Sequence, residues 1–241
     1  MVWRNVFTSE SYSIDASMKI ASFNINNVNR RLANLIDWLR DSAPDVVCLQ
    51  ELKAADSEFP AKALREIGYE AAWRGQKSWN GVAILARTAP IVTRTELPGD
   101  AADKQSRYLE AAVNGVLVAS LYAPNGNPHL GPKFDYKLAW MERLIAHAAE
   151  LHATGAPVAL AGDFNVVPTV RDIYKTKSWD RDALLQPEAA PRTDGSWPRV
   201  GRTPFARFGR TSRCSRSGIT SSTAGSATAA FASTTSLSVP V

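Results

Sequence analysis

The sequence predicts a layered α/β sandwich with mixed strands. Three observations lead there. Short β-branched apolar runs bounded by turns recur along the chain. Two amphipathic helical stretches are interleaved with them. One pair of runs is joined by Asn114-Gly115, a two-residue hairpin signal that makes at least one strand pair antiparallel.

Taken in order, "KIASFNIN" reads as a strand. "RRLANLIDWLRDSAPD" follows, with Leu32, Leu35, Ile36 and Leu39 on one helical face and Pro44 marking the exit. "DVVCLQE" and "GVAILAR" are short strands whose unbroken apolar character predicts burial on both faces. "LEAAVNGVLVASLYA" is the hairpin. "DYKLAWMERLIAHAAELHATG" is a long helix with a stripe of Leu138, Met141, Leu144, Ile145, Ala148 and Leu151, and Gly155 is its stop. "APVALAGDFN" is a further buried strand running into a turn.

Composition narrows the class. The 241 residues suffice for one large α/β domain, with 45% hydrophobic residues to build a core. No apolar run is long enough to span a bilayer, and the N-terminus lacks a signal-peptide layout. Two cysteines, Cys48 and Cys214, give no disulfide framework, which points to a reducing, cytoplasmic setting. The net charge of +5 is unevenly placed. Residues 190–241 hold seven Arg, no Lys and one acid, a net of +6, leaving −1 for residues 1–189. The basic excess therefore belongs to the tail and does not argue for nucleic-acid binding by the patterned part.

Several strands end in a polar side chain: Asn24 and Asn26 in "FNIN", Gln50 and Glu51 in "LQE", Tyr122 before "APNGNP", and Asp163 and Asn165 in "GDFN". Together they predict a site along one sheet edge. Its oxygens are carboxylate and amide, which suit Mg²⁺ or Mn²⁺ better than zinc. Asp163 and Asn165 are two apart, so on an extended segment they face the same side. Singly, Asn and Asp at strand ends also serve as turn formers. His129, His147 and His152 are not expected as ligands. Trp73 and Trp79 are expected to pack rather than to stack on bases.

The combination carries a resemblance. "PDVVCLQELK" resembles the first signature of the exonuclease III family of DNA-repair nucleases, within the wider endonuclease/exonuclease/phosphatase superfamily. "MKIASFNIN", "WNGVAIL", "RYLEA", "LYAPNGNP", "KFDYKLAW" and "LAGDFNVVPT" follow in the family's order, over residues 18 to about 189. The resemblance implies a four-layer α/β sandwich, two mixed sheets flanked by helices. It implies a metal held at Glu51 with Asn24, Asp163 and Asn165, and Asp163 as general base toward water. It places Asn24, Asn26 and Asn165 at the phosphate, and Tyr122 at the phosphate or the attacking water. It implies a monomer acting on double-stranded DNA at abasic sites or 3′ ends.

The tail departs from the family. The later "GLRID"-type and "SDH"-type motifs are absent, and no histidine follows His152. Of the last 31 residues, 15 are Ser or Thr. Read one frame over, the codons for "SATAAFASTTS" (226–236) permit "KRDRGLRIDHL", and those for "APRTDGSWPRVGRTPFA" (190–206) permit "RAAYRRLLAQGWTDALR". The expectation is therefore three zones. Residues 1–17 form a non-native or disordered extension, 18–189 a partial nuclease domain, and 190–241 an out-of-frame tail that leaves the C-terminal part incomplete and activity impaired. The other readings are a different phosphoesterase of the superfamily, a non-catalytic remnant of the fold, and a product degraded after synthesis.

Overall fold

The computed structural model describes residues 18–167, 181–188 and 233–237. The expected extension 1–17 and most of the tail lie outside the described residues. Two mixed sheets face each other. The first contains β1 (Met18–Asn24), β2 (Val46–Gln50), β3 (Glu70–Arg74), β4 (Val82–Ala86) and β9 (Ser233–Leu237), in the order β3-β4-β2-β1-β9. The second runs β5 (Ile91–Arg94), β6 (Tyr108–Val113), β7 (Val116–Tyr122) and β8 (Val158–Asp163). In each sheet one pair is parallel, β1 with β2 and β7 with β8, and the other pairs are antiparallel.

Period-2 alternation sorts the side chains into layers. Val47 and Leu49 of β2 pack outward with Leu35 and Leu39 of α1 (Leu32–Ser42) and Leu64 of α2 (Ala61–Arg65). Val46 and Cys48 turn inward against Leu109, Ala111 and Val118 of the second sheet. On the far side, Ala119 and Leu121 of β7 meet Trp140, Met141 and Leu144 of α3 (Pro132–Ala153). The order helices, sheet, sheet, helix is the expected four-layer sandwich. Each fully buried Leu or Ile in these layers contributes about 1.5–3 kcal/mol.

The breakers act where the sequence placed them. Asn114 and Gly115 adopt φ of 48° and 81°, the two positive values that a type I′ hairpin turn requires. Helix α1 ends at Ala43, whose left-handed backbone donates its N–H to Leu39 O, and Pro44 follows. Pro132 opens α3 at its first turn, and Gly155, at φ 71°, lies two residues past its end.

One strand expectation needs correction, and one strand went unexpected. β8 is only half-buried over most of its length, not buried as its apolar run predicted. It is an end strand among the described residues, so one flank lacks a neighbour. β5 is exposed at every position, an edge strand that apolar patterning does not reveal. The α3 stripe was also incomplete: Phe134, Lys137, Trp140 and His147 are buried with it.

Candidate active site

The site lies where the inner faces of both sheets open at the C-terminal ends of β1, β2, β7 and β8. This corrects the single-sheet-edge expectation. Asn24 shares the inward parity of Ile20, Tyr122 that of Val118, and Asp163 that of Ala159. Glu51 follows Gln50, so strict alternation would send its side chain to the opposite face. Its backbone instead turns into the left-handed region, φ 55°, and the carboxylate comes back to the inner opening. Gln50 itself leaves the candidate group: it is fully buried between the sheets, donating to Ser22 Oγ at 3.2 Å and Ser120 Oγ at 3.4 Å.

One amide joins the two carboxylates. Asn24 Nδ2 donates to Glu51 Oε1 at 2.7 Å and to Asp163 Oδ2 at 3.1 Å. Tyr122 Oη also donates to Glu51 Oε1, at 2.7 Å, while Lys53 Nζ pairs with Glu51 Oε2 at 2.8 Å. Lys53 donates in addition to Asn26 Oδ1 at 2.7 Å, and the Asn26 backbone N–H donates to Asn24 Oδ1 at 3.0 Å. Asn26 thus steadies Asn24 and Lys53 from an exposed, left-handed position, φ 48°.

Asn165 does not lie beside Asp163 on an extended segment. Its φ is 49°; its backbone N–H donates to Asp163 Oδ1 at 3.0 Å, and its side-chain Nδ2 reaches Ala123 O at 2.7 Å. The turn therefore folds Asn165 back onto the end of β7, a local choice available to Asn in the left-handed region.

Electrostatics follow from these contacts. Burial would raise the Glu51 pKa, but hydrogen bonds from Lys53, Asn24 and Tyr122 and the Lys53 charge outweigh it and hold the carboxyl below 4.5. Burial and the neighbouring Glu51 charge push the Tyr122 phenol well above its ordinary value, so it serves as a hydrogen-bond donor. The Arg107 guanidinium lies 4.9 Å from the Tyr122 ring centroid and donates to Tyr122 O at 3.2 Å. Burial draws Lys137 down to about 8, against the opposing charges of Asp182 and Asp163.

The donor set fits a hard divalent cation. Two carboxylates reachable by one amide group are within range of a single ion, and Mg²⁺ commonly takes one or two carboxylates with water and phosphate oxygens completing its shell. Among the described residues no cluster of three or more His, Cys, Asp and Glu forms a metal site. Asn24 presents its nitrogen, not its oxygen, to the carboxylates, and Asn165 directs its nitrogen to Ala123 O. Glu51 and Asp163 are therefore the two groups that could hold a cation.

His147 and His129 have partners outside this constellation, and His152 lies in the last turn of α3. His147 is buried on α3 against Glu110, Nε2 to Oε2 3.0 Å, and His129 packs edge-on to Phe134. Trp73 packs as expected, stacked on Phe59 at 4.6 Å. Trp79 does not: it is 72% exposed, with Lys53 Nζ 5.1 Å from its ring centroid. Sequence reasoning missed the roles of Lys53, Arg107 and Lys137. Lys53 lies within the quoted "LQELK", two residues past Glu51, and that spacing was the available signal.

Comparison with known proteins agrees with the two-sheet fold. The profile of the endonuclease/exonuclease/phosphatase family matches residues 21–217, past the expected boundary at 189. Exodeoxyribonuclease III of Haemophilus influenzae is 35% identical over 161 residues, 65% of this chain and 60% of that protein. An AP endonuclease from Archaeoglobus fulgidus superposes with a TM-score of 0.68 at 31% identity, covering 73% of this chain and 68% of that one. A Neisseria 3′ phosphatase, NExo, bound to a product DNA hairpin, gives 0.64 at 39% identity, covering 68% and 63%. The chain spans less than two thirds of the length of the curated relatives it matches. Enzymes of this family are in general dependent on a divalent metal. With the two-sheet architecture, the paired carboxylates and a profile match over most of its length, the chain belongs to the endonuclease/exonuclease/phosphatase family.

Proposed function

We propose that this chain carries the carboxylate half of the active site of a DNA-repair phosphodiesterase of the exodeoxyribonuclease III type. Its substrate is double-stranded DNA, cut at abasic sites and trimmed from 3′ ends. The observation that carries the reading is the convergence of Glu51 and Asp163 on the amide of Asn24. In this reading Glu51 and Asp163 would hold Mg²⁺ or Mn²⁺, with Asn24 and Asn165 completing the polar surround. When bound, the ion would offset negative charge on the phosphate.

The residues of the chain supply the rest. Asp163 is fixed from both ends, Oδ1 by the Asn165 N–H and Oδ2 by Asn24, so its free lone pairs have a set direction. It accepts the proton of the attacking water, which forms the new P–O bond as the bridging P–O bond breaks; the bridging oxygen leaves with the bonding pair and takes a proton from solvent. Asn26 and Asn165 bring neutral amide groups to the phosphate without adding negative charge, while Asn24 serves the hydrogen-bond network beside it, donating to both carboxylates. The Tyr122 hydroxyl, held by Glu51, steadies the carboxylate or meets the phosphate.

The 241-residue chain is proposed to be a weak enzyme, because no histidine is placed at the carboxylates among the described residues. The test is Mg²⁺-dependent cleavage of an abasic-site duplex by this chain and by its frame-corrected form. Robust cleavage by the 241-residue chain overturns the impairment. No cleavage by the corrected form overturns the nuclease reading.

A further inference from the structure

The "KFDYK" segment contains a lysine that the proposed chemistry does not use. Lys137 is fully buried in α3. Its ammonium donates to Asn125 O at 3.1 Å, Asn165 O at 2.7 Å and Ala183 O at 3.2 Å. Three donors meet three carbonyls, which is the whole capacity of an ammonium group. The acceptors come from three separate segments: the loop leaving β7 after Tyr122, the turn leaving β8 after Asp163, and the turn at 182–185.

The stem is held as tightly as the head. A Cβ built on Gly126 would approach Lys137 Cδ to 2.7 Å, so the β7 loop closes directly over the methylenes. The 182–185 turn is tied to the same loop, with Asn127 Nδ2 donating to Asp182 Oδ1 at 3.0 Å and the Ala183 N–H to Asn127 Oδ1 at 2.8 Å. A buried cation is unfavourable unless all its donors are met. An apolar side chain would fill this space without that demand but would bind none of the three carbonyls.

We propose that Lys137 is a positioning residue: through the carbonyls of Asn165 and Asn125 it fixes the turn that carries Asp163 and Asn165 against the end of β7 that carries Tyr122. The effect on catalysis rests on the nuclease reading; the effect on geometry does not. In Lys137→Met the Asn165 carbonyl is released and the turn loosens, with Asp163 at its base. Misplacement of about 1 Å at a reacting group lowers rate by about 100-fold.

The test compares Lys137→Met with two controls in the 241-residue chain. Lys133→Ala alters an exposed lysine on the same helix. Leu151→Ala removes a buried side chain in the last turn of α3, remote from the site, and destabilises the fold generally. Amide hydrogen exchange is followed by NMR, and cleavage of an abasic duplex is followed with kcat and KM separated. In Lys137→Met the amides of Ala123 and Asn165 should exchange at least about 10-fold faster relative to the α3 core amides, with kcat down about 100-fold and KM within about two-fold. Leu151→Ala should raise exchange across the fold and leave kcat near the parent value. Unchanged protection at Ala123 and Asn165, or a uniform rise matching Leu151→Ala, overturns the proposal. If the parent chain shows no cleavage, the nuclease reading is decided by the frame-corrected form, and the exchange pattern still decides on Lys137. If Lys137→Met does not fold, Lys137→Gln, which keeps an amide donor, carries the same measurement.

Discussion

Tyr122→Phe removes one oxygen atom and tests whether the site is organised around the Glu51 charge. The ring stays in place beneath Arg107, so packing and the cation–π contact are retained. What is lost is the donation from Tyr122 Oη to Glu51 Oε1 at 2.7 Å. A hydrogen bond to an ionised group contributes about 1.5–3 kcal/mol, and a neutral one about 0.5–1.5. Glu51 keeps Asn24 and Lys53, so the expected loss is about 2 kcal/mol, or a fall in Tm of about 4–8 °C for a domain of this size. In a Glu51→Gln background the same substitution removes only a neutral bond, about 1 kcal/mol, which leaves a coupling of about 1 kcal/mol. Urea and thermal unfolding of the four proteins at pH 7 measure the cycle. There is also a pH signature. The folded-state pKa of Glu51 is depressed, so its contribution is present above the unfolded value near 4.5 and is lost as pH falls through the folded value. Tyr122→Phe removes one of the bonds responsible and should shrink that acid loss. Additivity within about 0.3 kcal/mol would show that Tyr122 and Glu51 do not act as a pair.

Three further outcomes follow from particular contacts. Glu110 accepts from Thr93, Tyr108 and His147, and these bonds hold its pKa below 4.5 against burial, so its stabilisation should be lost as pH falls through that lowered value; Glu110→Gln should cost about 2 kcal/mol at pH 7 and flatten the acid slope, measured by urea unfolding at pH 7 and pH 4. Gly162 lies where an added Cβ would fall 1.9 Å from Leu121 O, so Gly162→Ala must open the β7–β8 pairing beside Asp163 and should cost about 3 kcal/mol or more; a parental melting curve refutes this. Mg²⁺ at 100 times its Kd should stabilise the chain by about 2.7 kcal/mol, with the gain absent after EDTA and in Glu51→Gln; equal gains in both proteins would exclude Glu51 as the ion's holder.

Much of the fold was legible because its core strands are buried on both faces and therefore apolar throughout. β2 and β4 are of this kind, and Asn114-Gly115 dictates the hairpin of β6 and β7. β5 carries no such pattern because it is an exposed edge held by its backbone. The candidate residues were legible as polar strand ends, but their arrangement was not. Alternation predicts side-chain direction only while the strand continues, and Glu51 and Asn165 act after it stops, at φ 55° and 49°. Gln50 shows the converse: being still within β2, it points between the sheets and is lost to the site. Lys137 was hidden by its helix, where a lysine on the apolar stripe looks like an interruption unless its three carbonyl partners are known.

The tail gains a sharper meaning from β9. Ser233–Leu237 pairs antiparallel with β1, Thr234 opposite Ala21, on the strand that ends in Asn24. A ladder asks only for backbone donors and acceptors in register, and Thr234 and Thr235 add β-branched residues suited to a strand. The codons for 233–236 are those that, one frame over, permit "IDHL" of the family-like "GLRIDHL". If residues 190–241 are out of frame, backbone pairing at this place can survive while the chemistry is exchanged. In that reading Thr234 stands at the position of the "GLRID" aspartate, and no histidine follows His152. Correcting the frame near codon 189 should therefore leave the β9–β1 pairing intact and raise cleavage of an abasic duplex about 10²–10³-fold, the scale of one lost electrostatic group. Equal cleavage by the two forms, or a gene sequence whose shifted frame across codons 190–236 does not encode the recovered strings, refutes the frame change.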